Sequence, residues 1–283
     1  MILNEVSSLL GHTIISMTSV SGGDINRSFR LITETREEYF LKYNDVPQAY
    51  SMFISEEDGL RKLSEVTNHA VPKVLLTSKL SKGACLIMQF ESRIDWQKES
   101  YIRLGEMLAK VHGASSDNFG FYEDNYLATL HQQNAWKRDF VPFYLLQRIE
   151  PLLKKAIDKG FLDARYSLWA HKAENSLRSI IPTEAPALLH GDLWSGNVMN
   201  TSQGPLFLDP AVYYGHREID IAMSKMFGGF QKGFYDAYLY EFPLAPGWEA
   251  RLPIFQLYPY LVHLVLFGKS YSGSTKRILD RYF

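Results

Sequence analysis

The sequence predicts an α+β chain of two lobes, a small N-terminal β-sheet lobe over residues 1–91 and a mainly helical lobe over residues 92–283. Three observations carry this. Runs rich in β-branched and aromatic residues crowd the first part of the chain. A single stretch with helical spacing interrupts them, and beyond Asp95 helical spacing dominates.

In order, TIISMTSV, SFRLIT and EEYFLKY read as three strands between Thr13 and Tyr43. SGGDIN and TETRE supply the turns between them. Met52, Phe53, Glu56, Leu60 and Leu63 then recur on one helix face, and VPKVLLTS and ACLIMQF read as two further strands. The lobe boundary falls near residues 90–92. Past it, Tyr101, Leu104, Leu108 and Val111 form one apolar stripe, and Leu145, Ile149, Leu152 and Ala156 form another. Pro142 suits the first turn of that second helix, whereas Pro151 falls inside it and predicts a kink.

Composition narrows the class. At 283 residues and 32.5 kDa, with 46% apolar and 22% charged residues, the chain is long and apolar enough for a sizeable core. A formal net charge of -1 provides no broad attraction to nucleic acid or an anionic membrane, so any phosphate site must be local. The lone Cys85 excludes an internal disulfide framework, and its apolar setting predicts a buried, reduced thiol. The start MILNEVSSLL carries Glu5 and no basic leader, residues 260–267 are too short an apolar run to span a bilayer, and the expected location is the cytosol. A monomer is expected. The sequons at Asn26 and Asn200 carry no weight in such a setting.

The most informative stretch is LLHGDLWSGNVM, residues 188–199, with FLDP following at residues 207–210. Protein kinases write this chemistry as H-R-D-x-x-x-x-N and D-F-G. Here His190-Gly191-Asp192 has Asn197 at the same five-residue offset, and Asp209 is followed by Pro210. Asp192 is the candidate base. An unperturbed aspartate is ionised at neutral pH, and a loose phosphoryl-transfer transition state asks the base for position more than for strength. Asn197 and Asp209 supply the hard oxygens that Mg2+ prefers, with Asp209 at the end of a buried strand, PLFL. Together with the element order, this predicts a two-lobed, protein-kinase-like fold and a kinase for a small hydroxylated substrate, using ATP and Mg2+.

Lys42, ending the third strand, is placed to meet the α- and β-phosphates, and Glu56 or Glu57 on the next helix would hold it. Gly22 and Gly23 stand where a nucleotide-covering loop belongs, with backbone N–H groups and Asn26 or Ser28 as further phosphate contacts, although the full G-x-G-x-x-G is missing. Gly268-Lys269-Ser270 imitates the end of a Walker A loop, but His263 occupies the position of its first glycine. The histidines show no zinc-binding spacing. Asp220 reads as a structural acceptor for backbone N–H groups of the catalytic loop. Trp194 is either a core residue or an aromatic face for a sugar.

Read in order, these motifs resemble the fructosamine kinase (ketosamine-3-kinase) family, within the aminoglycoside-phosphotransferase and choline-kinase group. SGGDIN, MFISEEDGL, HGDLWSGN, NFGFYEDNYLATLHQQNAW and the stretch DPAVYYGHREIDIAMSKMFGGFQKGFYDAY carry the resemblance over nearly the whole chain. The resemblance favours Glu56 as the lysine's partner and matches Gln89, Phe90 and Glu91 to the hinge that holds adenine. It implies ATP-dependent phosphorylation of the 3-hydroxyl of ketosamines, free or protein-linked, and release of the amine. Asp24 stands where some members carry a cysteine, so thiol regulation at that loop is not carried over. Trp194, His216 and the aromatic residues of MFGGF and FYDAY are the expected acceptor pocket. An aminoglycoside or choline kinase, or an inactive nucleotide-binding scaffold, are the alternatives.

Overall fold

The computed structural model describes residues 2–20, 25–67 and 70–282. It opens on a helix that the strand pattern does not announce, α1 (Ile2–Leu10). Then come β1 (Ile14–Ser19), β2 (Arg27–Thr33), β3 (Glu38–Asn44), the long α2 (Ala49–Thr67), β4 (Val74–Lys79) and β5 (Ala84–Gln89). The strands form one antiparallel sheet of order β1-β2-β3-β5-β4.

Side chains alternate across that sheet, so each face has its own cover. Leu41, Cys85 and Ile87 turn toward Val6 of α1. Ala84, Leu86 and Met88 turn the other way, toward Phe53, Leu60 and Leu63 of α2. Lys42 neighbours Leu41 on β3, pairs with Leu86, and therefore points to the α2 side. The expected burial of Cys85 follows from its place at the sheet centre, and burial pushes its thiol up to about 11.

Helices dominate after β5. They begin with α3 (Lys98–Gly113), followed by a hairpin, β6 (Asn125–Leu127) and β7 (Leu130–Gln132). The next stretch is broken: α4 (Phe140–Tyr144), a π-helical turn over Leu145–Ile149, then α5 (Glu150–Asp158). Pro142 lies in the first turn of α4, and Pro151 opens α5 directly after the π-turn. The kink expected from Pro151 is thus a change of helix type, which removes the i→i−4 bond that proline cannot donate.

The rest comprises α6 (Trp169–Ile180), β8 (Ala187–Leu189), β9 (Val198–Thr201), β10 (Gly204–Phe207), β11 (Tyr213–Gly215), α7 (Glu218–Ser224), α8 (Lys232–Glu241), α9 (Trp248–Phe267) and α10 (Ser272–Arg281). Two short antiparallel ladders, β9–β10 and β8–β11, frame the functional segment. Their loops are tied together by backbone bonds from Ala211 N to His190 O and from Leu208 N to Asn197 O, both 2.9 Å.

By length and composition α9 could cross a membrane. Here it serves as a core helix. Phe255, Leu257, Leu261 and Leu264 are fully buried, and Arg251 near its start donates to the buried Glu218 at 2.6 Å.

Candidate active site

Lys42 ties the sheet to both α2 and the 208–212 segment. Its Nζ lies 2.5 Å from Glu56 Oε1 and 2.5 Å from Asp209 Oδ1. Of the two helix glutamates considered, Glu56 is the one in contact. Burial alone would push the Lys42 ammonium down, but Asp209 and Glu56 outweigh it and hold it above its usual value. Burial pushes Glu56 up to about 7 against the pull of Lys42. The Asp209 side chain remains 43% exposed, so one carboxylate oxygen faces the cleft.

Asp192 and Asn197 come from the loop between β8 and β9. The Asn197 amide donates to the Asp192 carbonyl at 2.9 Å and to its carboxylate at 2.8 Å, which leaves the Asn197 side-chain oxygen without a protein donor among the described residues. Burial pushes Asp192 up to about 7; Asn197 works against this, and Asp209 and Asp220 add to it.

The loop's shape has local causes. Gly191 has φ +84, and a Cβ there would meet Ala211 O at 2.0 Å, so only glycine lets the two loops touch. His190 is buried and burial lowers its basicity, so its partners assign a neutral ring: Nε2–H donates to Leu208 O, and Nδ1 accepts from Asp192 N. The ring thereby links the base-bearing loop to the strand that delivers Asp209. Asp220 accepts from the amides of His190 and Gly191 at 2.7 and 3.0 Å, and His112 braces it from α3.

Lys42, Glu56, Asp192, Asn197 and Asp209 line one cleft of about 550 Å³, together with Asn26, Ser28 and Trp194. Gln89, Phe90 and Glu91, which the resemblance matches to the adenine hinge, are not among the residues lining it. Gln89 N and Phe90 N are spent on Lys73 O and Glu38 O, while the Glu91 amide has no hydrogen-bond partner among the described residues. Gly22 and Gly23 lie outside the described residues. His216 requires correction. It is fully buried between Phe140 and Phe255, its Nε2–H donating to Pro182 O, and it does not touch the cleft. Phe234 and Tyr238 of FYDAY are likewise core residues; from the aromatic residues of MFGGF and FYDAY only Phe227 lines the cavity.

The family model described as fructosamine kinase matches residues 2–283. The chain belongs to the fructosamine kinase family. It is 42% identical to a probable ketoamine kinase of Enterococcus faecium over 93% of this chain and 94% of the relative. It is 31% identical to ketosamine-3-kinase of Mus musculus, covering 95% and 96% of the two chains. The solved structure of a Haemophilus somnus protein assigned as a fructosamine-3-kinase superposes with a TM-score of 0.90 at 25% identity, covering 100% of this chain and 96% of that one.

In this fructosamine kinase family member the far wall of the cleft comes from residues that motif reading missed. Val262, His263, Leu266 and Phe267 from the end of α9, with Ser270 and Tyr271, face Trp194 and Phe227. Phe227 meets the Trp194 ring edge-on at 5.8 Å and the His263 ring at 4.9 Å. Trp194 is half-buried, and a Cβ at Gly196 would strike its ring at 2.3 Å, so that glycine makes room for the indole. The signal for this wall was His263 within the apolar second half of α9, used at the level of sequence only to exclude other readings, a Walker A loop among them.

Proposed function

We propose that this protein transfers the γ-phosphate of ATP to the 3-hydroxyl of a ketosamine, with Mg2+ as the metal and the nucleotide between residues 1–91 and 92–283. The observation that carries the reading is the convergence of Lys42, Asp192, Asn197 and Asp209 on one cleft, from three separate segments. The metal fits the donors present. Among the described residues no cluster of three or more His, Cys, Asp or Glu side chains could cage an ion. Asn197 and Asp209 offer two hard oxygens, as expected for Mg2+, which takes few protein ligands and completes its shell with water and phosphate. When bound, it would offset the charge of the phosphate oxygens and favour the ionised form of Asp192.

The side chains then divide the work. Lys42 holds the nucleotide phosphates as a point charge kept in place by Glu56. Asp192 accepts the hydrogen bond of the acceptor hydroxyl and aims its oxygen. Trp194 and Phe227 give the acceptor an aromatic face suited to the C–H side of a sugar. Among the described residues the carboxylates lining the cavity are Glu56, Asp192 and Asp209, all engaged around Lys42 and Asn197, so none of the described acidic groups is left on the acceptor wall for a polycationic aminoglycoside. Glu218 and Asp220 are buried, and Asp236 pairs with Lys232. A cytosolic monomer is part of the same reading, and the buried, free thiol of Cys85 suits a reducing compartment.

The test is ATP consumption with ribulose-, erythrulose- and fructose-amines, using aminoglycosides and choline as controls. Turnover is expected with the ketosamines alone. Phosphorylation of kanamycin as efficient as that of ribulose-lysine would overturn the acceptor assignment and leave the kinase chemistry.

A further inference from the structure

Asp209 carries φ +53, a left-handed backbone uncommon for a residue with a side chain, though aspartate enters it more readily than most. The 209–212 segment is gripped from two sides. On one, a Cβ added at Gly59 of α2 would come within 3.2 Å of Pro210 Cγ. On the other stands the β6–β7 hairpin. Asn125 Nδ2 donates to Val212 O at 2.7 Å, and Gln132 Nε2 donates to Asn125 Oδ1 at 2.7 Å and to Ala211 O at 3.3 Å. The Tyr258 hydroxyl of α9 donates to Gln132 Oε1 at 2.5 Å. All three side chains are buried.

The hairpin is itself anchored from behind by the π-turn. Arg148, fully buried, donates to Asn134 Oδ1 at 2.6 Å and to the Gln133 carbonyl, with its guanidinium 4.0 Å above the Tyr213 ring. No carboxylate pairs with Arg148 among the described residues, so its hydrogen bonds are spent on the hairpin base and the local backbone. The same hairpin presents Tyr126, Leu127 and Ala128 to the cleft.

We propose that Asn125 and Gln132 are positioning residues for Asp209: their amides hold the carbonyls of Val212 and Ala211, and so keep the Asp209 carboxylate turned toward Lys42 and the phosphate side of the cleft. The inference rests on the reading of Asp209 as a metal-binding residue. A purely structural hairpin would add stability to the whole lobe evenly. A clamp acts on one segment, and that difference can be measured.

The experiment is amide hydrogen exchange on the protein without nucleotide or metal, comparing the wild type with Asn125→Leu, Gln132→Met and the milder Tyr258→Phe, well below each melting temperature. Exchange at the hydrogen-bonded amides flanking Asp209, Leu208 and Ala211, is expected to rise at least tenfold in the first two variants and less in the third, with α3 unchanged. In parallel, the Mg2+ concentration giving half-maximal nucleotide binding should rise at least fivefold while the ketosamine KM stays within twofold. Unchanged exchange at these amides in folded variants, or an acceleration spread evenly over α3 and α9, would overturn the clamp. If one of the first two variants does not fold, the other and Tyr258→Phe decide. A wild type that binds nucleotide equally well without divalent cations would remove the metal role of Asp209, while the exchange data would still judge the clamp on their own.

Discussion

Asp192 and Asp209 are near neighbours in the cleft and are expected to fail in different ways. Asp192→Ala removes the group that faces the acceptor, so turnover should vanish while Mg-ATP affinity, measured by calorimetry, stays nearly intact. Retention of more than about a tenth of the wild-type rate would remove it as an essential residue. Asp209→Ala should weaken metal-dependent nucleotide binding as well as turnover, and an unchanged Mg-ATP affinity would contradict its assignment. Lys42 and Glu56 act as a unit at 2.5 Å. Lys42→Met should raise the KM for ATP and lower kcat, Glu56→Ala should do part of the same damage, and the double variant should lose less than the product of the two. Strict additivity in steady-state kinetics would mean that the pair does not cooperate. Asp192 and Asp209 were legible because each sits in a short motif whose spacing has a specific chemical use, whereas Lys42 was read from its place on a strand and Glu56 was separated from Glu57 only by the family resemblance. His216 was misread for the converse reason: a histidine inside a family motif looks functional, and nothing local says that two phenylalanines from α4 and α9 enclose it.

At the scale of elements, the strands and the long helices followed from periodicity because each has one or two faces committed to a core. The π-turn before Pro151 had no signal beyond the proline itself, and α1 was passed over although Val6 is fully buried beneath it. The cleft wall from α9 was hidden because that helix is apolar nearly all round, and which of its residues meet Trp194 depends on chain-distant packing. The α3–α8 contact is close enough for a single substitution to test. A Cβ at Gly105 would lie 2.2 Å from the Phe234 carbonyl oxygen, and backbone cannot give way as a side chain can. Gly105→Ala should therefore destabilise by roughly 1–3 kcal/mol in urea denaturation, through overpacking. Since the contact is remote from the cleft lining, kcat below the transition should stay near wild type; a fully stable variant would mean that the helices part without cost.

For the whole molecule, acid should act through His216. Burial lowers its imidazole to about 4 despite Glu184 at 3.1 Å, while Arg217 and Arg251 also disfavour charge. The ordinary value in an unfolded chain is about 6.5. Between these values the unfolded chain binds the extra proton, so the contribution of neutral His216 is fully present above about pH 6.5. It is lost as the pH falls toward 4, up to about 3 kcal/mol in all. Glu56 and Asp192 work in the opposite sense, since both are raised to about 7 and their protonation favours the folded form as the pH drops. The test is thus a difference: the stability gap between wild type and His216→Phe should shrink from pH 7 to pH 5. A constant gap would show that His216 does not titrate as its surroundings demand.

Five tryptophans are spread through the chain, and Trp194 is the one that lines the cleft. Trp169 is sealed in the core, donating to Leu279 O, and Trp96 stacks on Tyr101. The indole at 194 is half-buried and edge-on to Phe227, on the wall proposed above for the acceptor. Its emission is then a built-in optical reporter of acceptor arrival, separable from the signal of the other four. A ketosamine titrated into the resting protein should quench or shift the fluorescence along a saturation curve that matches its kinetic KM, and Trp194→Phe should abolish that change. If the full signal persisted in the Phe variant, the acceptor would be settling somewhere other than against this ring.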